Sequence, residues 1–362
     1  MEVLLVFKNF NINSLHRTYK VEFMSYLEGF NNLILPDDFI LIDKNILAIY
    51  PDIHEYVNKI KFHAITPSEN AKSFDSIGDV INIVIESGFS KNNRLIAIGG
   101  GVTQDITSFI ASILFRGVDW IFFPTNLATQ CDSCIGSKNT VNINNYKNQL
   151  GGFHPPSNIV IDYNFCNTIS DKEISSGLGE MMHYFLVDGV DDLESLHKEI
   201  IAAKQDKKVL ASLVQRSLSI KAPMVELDEF DKGPRNVFNY GHSFGHALES
   251  ATDYKVPHGV AVAFGMDLAN IISSHLGFLD IKVRNNVNPL LQTIWEDTKL
   301  PDFCVERYFY ALSKDKKNVG NEVKVILTKG LGKMFKTTLP MTNEIKELIK
   351  NFYLDGLYNE QR

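Results

Sequence analysis

Apolar residues follow two rhythms along this chain, and the rhythm changes near residue 170. Upstream, short apolar runs recur: "VLLVF", "FILID", "KFHAI", "RLIAIG", "DWIFFP" and "NIVID". Runs of this length, rich in β-branched and aromatic residues, suit strands buried on both faces of a parallel sheet. Between them lie "NAKSFDSIGDVINIVIESG" and "VTQDITSFIASILF", whose apolar residues return at the spacing of one helix face. Strand and helix in alternation predict an α/β domain on a parallel sheet. Downstream the strands thin out. "SDKEISSGLGEMMHYFLV" starts with Ser170 and Glu173, the capping-box pattern. "DDLESLHKEIIAAK", "KKVLASLVQRSLSIKAPMVELDE" and "VNPLLQTIWEDT" then carry helical periodicity. The expectation is an α/β domain over residues 1–170 and a helical domain over 171–362, with no internal repeat.

A chain of 362 residues exceeds what one hydrophobic core usually serves, which agrees with two domains. The formal net charge of −7 argues against a nucleic-acid partner, which calls for a basic surplus. No apolar run reaches the roughly 18 residues of a membrane span. "MEVLLVFKNFNINS" lacks a basic leader and a small-residue cleavage site, so no signal peptide and a cytoplasmic location are expected. Cys131 and Cys134 form one CxxC without the second pair of a zinc ribbon, and Cys166 and Cys304 are single. Reduced thiols in a reducing cytoplasm are the expectation.

Candidate chemistry begins at "RLIAIGGGVTQDITSFIAS", where Gly99, Gly100 and Gly101 join a strand to a helix. Such a turn lets a phosphate approach backbone N–H groups. It is not the G-x-G-x-x-G fingerprint, and a plain tight turn fits the residues equally. "FFPTNLAT" puts Pro124, Thr125 and Asn126 at the next strand's end, where ligands of open α/β sheets bind. "DSCIGSKNTVNINNYKNQLGGFHPP" reads as a polar loop holding Asp132, Lys138, Asn142, Lys147, Asn148 and His154. With Lys221, Arg235 and the "KDKK" run at 314–317, it adds positive groups to a net acidic chain, pointing to an anionic small substrate.

"NYGHSFGHALE" sets His242 and His246 one helical turn apart, the spacing of the H-E-x-x-H metal helix, but Ser243 stands where its glutamate would be. Glu180 and His183 share a face of "GLGEMMHYF", and His258 opens a further helix. A catalytic zinc takes three protein ligands and keeps one position open; spacing alone does not choose three of these five residues.

In order along the chain, "GGGVTQD", "FRGVDWIFFPTNLATQCDSCIGSK", "KNQLGGFHPP", "GLGEMMH", "RNVFNYGHSFGHALE", "VPHGVAVAFGM" and "DKK" resemble 3-dehydroquinate synthase and the wider sugar phosphate cyclases, from about Asp43 to Gly332. The resemblance implies a Rossmann-like NAD domain followed by an all-α metal-binding domain. It implies zinc, or cobalt, on Glu180, His242 and His258, with His246 left to face substrate. NAD would lie against Gly100, Gly101, Asp105, Thr125 and Asn126, with Asp43, Asn45, Glu69 and Lys72 near the adenosine and ribose and Thr168 a further nucleotide-side position. Substrate anions would meet Lys138, Lys147, Asn148, Lys221, Arg235, Asn239 and Lys316 or Lys317. Arg116 matches an arginine that enters the partner subunit's site, which implies a homodimer. The implied substrate is a phosphorylated seven-carbon sugar acid. It is transiently oxidised by NAD, loses phosphate by β-elimination, is reduced again and closes by an intramolecular aldol step. His246 and Asp132 would position water and shuttle protons.

Three departures bear on substrate. His183 stands where the family has lysine, Gly136–Ser137–Lys138–Asn139–Thr140 replaces Gly–Gly–Lys–Thr–Gly, and Gln104 replaces a common glycine. They leave open a divergent cyclase acting on an aminated or carboxylate-free sugar phosphate. An NAD- and metal-dependent polyol dehydrogenase is a further alternative. Arg235, Asn239 and His246 favour the carboxylate substrate, since a guanidinium fork suits that group.

Overall fold

The computed structural model describes residues 7–144, 146–313, 322–354 and 356. The chain divides into two compact units, Met1–Ile169 with Ala222–Phe230, and Ser170–Lys221 with Asp231–Arg362. The return of residues 222–230 to the first unit begins inside one long helix, Lys207–Leu227, at its internal proline, Pro223. Polar and aromatic contacts tie the segment back: Asn13 donates its N–H to Glu226 Oε1 at 2.6 Å, Leu15 donates to Glu229 Oε2 at 2.8 Å, and the Phe230 ring packs edge-on 4.6 Å from that of Phe153.

The first unit carries strands β1 (Phe10–Asn13), β2 (Thr18–Phe23), β3 (Phe39–Asp43), β4 (Lys61–Ile65), β5 (Leu95–Gly99) and β6 (Trp120–Pro124), then β7 (Lys138–Ile143), β8 (Tyr146–Phe153) and β9 (Asn158–Ile161). The main sheet runs β1-β2-β9-β6-β5-β3-β4. Only its edge pair β1–β2 is antiparallel. The five apolar runs from "FILID" to "NIVID" are its strands. β5 and β6 are buried at every position, which is why they read as continuous apolar runs rather than as an alternation. Of "VLLVF", residues 3–6 lie outside the described residues and Phe7 is in no strand. β1 and β2 alternate polar with apolar positions and so form no continuous apolar run.

The register pairs Ile42 with Ile98 and Gly99 with Pro124, so β3, β5 and β6 end side by side. From β3 the chain moves outward to β4 and then returns to β5 on β3's other side. The strand order therefore reverses between β3 and β5, and α/β sheets open a ligand crevice at such a point.

The polar stretch after Asp132 is not the loop its composition suggested. β7 and β8 pair as an antiparallel hairpin with a register shift between Val141 and Ile143. Asn139 and Asn142 turn inward and use their amides: Asn139 Oδ1 accepts from Gly152 N at 2.9 Å, and Asn142 Nδ2 donates to Glu69 Oε2 at 2.9 Å. A buried asparagine whose amide is engaged at both ends, as that of Asn142 is, fills a strand position while reading as loop composition.

The second unit is helical, with one added hairpin of β10 (Glu322–Thr328) and β11 (Met334–Pro340). Its helix Asp171–Asp188 starts on the capping box of Ser170 and Glu173. Helix His258–His275 is buried continuously from Gly259 to Ser273, the mark of a helix at the centre of a core. It meets helix Asp171–Asp188 at Gly179 and Gly259. A Cβ on Gly179 would strike the Gly259 carbonyl, and one on Gly259 would strike the Ser176 carbonyl and come within 2.9 Å of Glu180 N. It meets helix His242–Ala251 the same way: a Cβ on Gly265 would strike the Gly241 carbonyl and reach Gly245 N at 2.9 Å. Buried Asp267 fastens its far side, held by Arg284 Nη2 at 2.7 Å and Nε at 2.9 Å. Among the described residues, no helix is long and apolar enough to cross a membrane.

Two glycine substitutions should have opposite signs. Gly259→Ala is expected to lower unfolding free energy by about 3 kcal/mol, because backbone atoms must move to admit the methyl group. Gly78→Ala, in helix Phe74–Glu86, adds a methyl group that would meet no other atom within 4 Å, and is expected to raise it by about 0.5–1 kcal/mol. Urea midpoints check both.

Candidate active site

In the first unit, Asp43, Gly99–Gly101 and Thr125–Asn126 stand at the adjoining ends of β3, β5 and β6. Asp43 caps helix Lys44–Ile49 by accepting from Asn45 N at 2.8 Å. Burial raises its carboxyl pKa, and that N–H pulls the other way. The turn is tight at two of its glycines: a Cβ on Gly100 would strike the Asn126 amide, and one on Gly99 would strike the Thr103 side chain and lie 3.1 Å from Asp43 Cβ. Gly100 caps helix Gly101–Ile113 without a side-chain hydrogen bond, so first-turn N–H groups can meet an anion.

Five of the residues named from the sequence are linked beside this turn. Lys72 Nζ lies 2.7 Å from Asp105 Oδ2 and donates to Asn148 Oδ1 at 3.2 Å. Asn148 N donates to Asn142 Oδ1 at 2.8 Å, and Asn142 reaches Glu69. Burial raises the Asp105 pKa, and the Lys72 charge opposes that rise. Thr168 Oγ1 is 2.8 Å from the Tyr50 hydroxyl. Asp132 sits on a π-helical turn, Thr129–Ser133. Gln104 clamps this turn, donating to Ser133 O at 2.6 Å while its Oε1 accepts from Ser133 Oγ at 2.7 Å, so the side chain that replaces the expected glycine has a structural task. Lys138 and Lys147 are exposed on the hairpin. Arg116 is exposed at a left-handed bend in which Phe115, Arg116 and Gly117 have φ of 49°, 68° and 112°. Cys131, Cys134 and Cys166 are buried thiols, and Cys304 is an exposed one.

The second unit gathers Glu180, His183, His242, His246 and His258. Glu180 is buried, and its Oε2 makes no well-directed hydrogen bond. His242 Nε2 lies 3.4 Å from Glu180 Oε1, and His258 Nε2 lies 3.3 Å from Glu180 Oε2. Each imidazole is steadied from behind. His242 Nδ1 is 3.3 Å from the Tyr240 carbonyl, and His258 Nδ1 is 3.0 Å from Glu249 Oε2. Such backing fixes the tautomer and aims Nε2 forward, as around ligated metals. A carboxylate with convergent imidazoles suits zinc or cobalt(II). Without an ion, protons take part of that role. Burial works against charge on His258, but Glu180 and Glu249 outweigh it and raise its pKa well above 6.5. Burial likewise opposes charge on Glu180, but His258 and His242 hold its pKa well below 4.5.

Two tight donor groups emerge. Glu180, His183 and His242 place ligand atoms within 4.8 Å of one another, and so do His246, Glu249 and His258. His183 is fully buried, whereas His246 lines the open side of the cluster, solvent-accessible yet crowded by protein atoms. That crowding, and then the charges of His242 and His258, push the His246 pKa down to about 4. Arg235 and Asn239 lie on the 3-10 turn Pro234–Asn239, and Lys221 is buried in the last third of the Lys207–Leu227 helix. Asn239 shares a small pocket with Asn236, Ser243, Lys324 and Lys336. Lys316 and Lys317 lie outside the described residues.

Residues 62–176 match the 3-dehydroquinate synthase N-terminal family, and residues 177–318 match the 3-dehydroquinate synthase C-terminal family. A 3-dehydroquinate synthase of Thermoanaerobacter sp. is 35% identical over 306 residues, covering 82% of this chain and 85% of the relative. The chain belongs to the 3-dehydroquinate synthase family.

Its fold is shared with 2-deoxy-scyllo-inosose synthase, solved with carbaglucose-6-phosphate, NAD+ and Co2+, at a TM-score of 0.86 and 24% identity over 95% of this chain and 99% of that one. It is also shared with 2-epi-5-epi-valiolone synthase from Streptomyces hygroscopicus subsp. jinggangensis, with NAD+ and Zn2+ bound, at 0.80 and 24% over 94% and 98%. Three polar residues beside the expected set were not singled out from the sequence of this 3-dehydroquinate synthase-family chain. Glu249 follows His242 and His246 by seven and three residues on one helix face, a spacing that could have marked it. Lys324 and Lys336 carried no such signal, because only the β10–β11 pairing brings them near Asn239.

The low pKa of His246 gives a pH test on the metal-free protein. The unfolded chain takes up a proton on this residue near pH 6.5, whereas the folded chain refuses it until about 4. Stability from this residue is therefore intact above pH 6.5 and lost as pH falls toward 4. His246→Gln should flatten that part of the curve, so its urea midpoint should gain on the wild type's as pH falls across the window. Parallel curves would count against it.

Proposed function

We propose that this chain is an NAD- and zinc- or cobalt-dependent cyclase that turns a phosphorylated seven-carbon keto-acid sugar into the 3-dehydroquinate ring with release of inorganic phosphate. One observation carries the reading. In a chain of this family, a buried carboxylate, Glu180, is faced by the Nε2 atoms of His242 and His258 from two other helices. Those three residues are assigned to the cation. The strand-end set from Asp43 to Thr168 is assigned to the nucleotide. When bound, NAD takes up and later returns one hydride, and the cation acidifies the hydroxyl that is oxidised.

The chain's own residues do the remaining work. Arg235 offers a planar two-pronged donor for the substrate carboxylate, and Asn239 a neutral amide for a hydroxyl. Lys138, Lys147, Asn148 and Lys221, with Lys316 or Lys317, neutralise the leaving phosphate. His246 is neutral at physiological pH because its pKa is near 4, so it accepts a proton rather than donating one at the start of the cycle. Asp132 is assigned to positioning water. Glu249 holds His258 by its Nδ1–H. Arg116, presented on an exposed bend, is assigned to the site of a second copy in a homodimer, and the cytoplasm is the proposed location.

A second reading, an aminated or carboxylate-free sugar phosphate, is favoured most by His183, since a lysine would have offered a fixed positive charge there. Phosphate release from each candidate, with NAD and zinc supplied and products identified by mass, separates the two. Dehydroquinate formation with no accumulation of reduced nicotinamide is expected. Accumulating reduced cofactor without phosphate release would instead identify a polyol dehydrogenase.

The orienting role of Glu249 is checked separately. Glu249→Ala should weaken metal binding about 10–100-fold, the usual cost of losing a group behind a ligand histidine. His242→Ala should abolish it in chelator competition. Unchanged metal content in His242→Ala would remove that residue from the ligand set.

A further inference from the structure

We infer that His183 is a further donor to the cation assigned to Glu180, His242 and His258, so that the substrate-free protein presents one carboxylate and three imidazoles to a single ion. The inference rests on the metal reading proposed above and extends it to a residue where the family has lysine.

Spacing comes first. His183 follows Glu180 by three residues on helix Asp171–Asp188, so both side chains leave the same face. Glu-x-x-His at this separation is how carboxylate-bridged metal proteins bring two donors from one helix to one metal centre. Position agrees with spacing. Donor atoms of Glu180, His183 and His242 lie within 4.8 Å of one another. The His183 and His242 ring centres are 4.9 Å apart with planes at 88°, an edge-on arrangement that suits two imidazoles approaching one point from different directions. Burial then separates this role from the lysine's. A residue that reaches a substrate anion needs length and access, but His183 is 1% exposed and its ring packs 3.9 Å from the Tyr184 ring and 6.1 Å from Phe238. An imidazole walled in by aromatic rings is shaped to hold still beside Glu180. Finally, three nitrogens and one carboxylate oxygen form a donor set suited to zinc and cobalt(II).

The test uses the full chain loaded with zinc or cobalt and dialysed, without substrate. X-ray absorption at the metal edge is expected to count three imidazoles in the wild type and two in both His183→Ala and His183→Gln. The second variant keeps polar bulk if the first folds poorly. Chelator competition should show affinity lowered about tenfold or more in both, and the visible bands of the cobalt form should shift. Two imidazoles in the wild type, with wild-type affinity and cobalt bands in both variants, would overturn the inference while leaving the metal reading intact. A wild type that binds neither ion would overturn the metal reading itself, and this inference with it.

Discussion

Everything the second unit can do rests on backbone touching backbone at Gly179 and Gly259. A methyl group at either position would collide with the facing carbonyl, so the two helices approach more closely than any other residue pair would allow. Glu180 follows Gly179 directly and His258 precedes Gly259 directly. The closest point of the crossing is thus also where the carboxylate and the imidazole are attached. On the other side of the central helix, Gly265 against Gly241 and Gly245 draws in the helix that begins with His242. Small residues at crossings are ordinary packing devices. Here they also set the distances among the donors.

Close packing creates an electrostatic debt that the site's chemistry answers. A carboxylate taken out of water costs several kcal/mol unless a positive partner accompanies it. Asp267, on the same central helix, is accompanied by the permanent charge of Arg284 and is structural. Glu180 is accompanied by imidazoles, whose charge depends on a proton and whose Nε2 atoms can exchange it for a metal ion. The two buried carboxylates differ in what faces them, and that difference separates a fastening from a site.

The first unit solves a different problem, that of bringing an anion to the backbone. Parallel strands buried on both faces leave their carboxyl ends as the open edge. The strand order reverses between β3 and β5, the point at which open α/β sheets take their ligands. Glycines at the end of β5 keep that edge clear, and the β7–β8 hairpin braces one side of it through Asn142, Asn148 and Lys72. Gln104 clamps the Asp132 turn through two hydrogen bonds with Ser133.

Much of this was legible in the chain alone. Continuous apolar runs marked the central strands because burial on both faces leaves no polar position to interrupt them. Ser170 and Glu173 marked their helix start because a cap is a local event. The order of motif blocks marked the family, and the spacing within "GLGEMMH" and "GHSFGHALE" marked one-faced sets of donors. Tertiary structure decided the rest. It turned the asparagine-rich stretch into a hairpin, since whether a buried amide finds a partner depends on residues far away, such as Glu69. It returned residues 222–230 to the first unit through hydrogen bonds more than 200 residues distant in sequence. It placed Glu249 behind His258 and buried His183 beside Glu180. Sequence spacing determines which side chains leave one face of one helix. Which faces then converge on a common point depends on how closely separate helices approach, and that is a property of the packed chain.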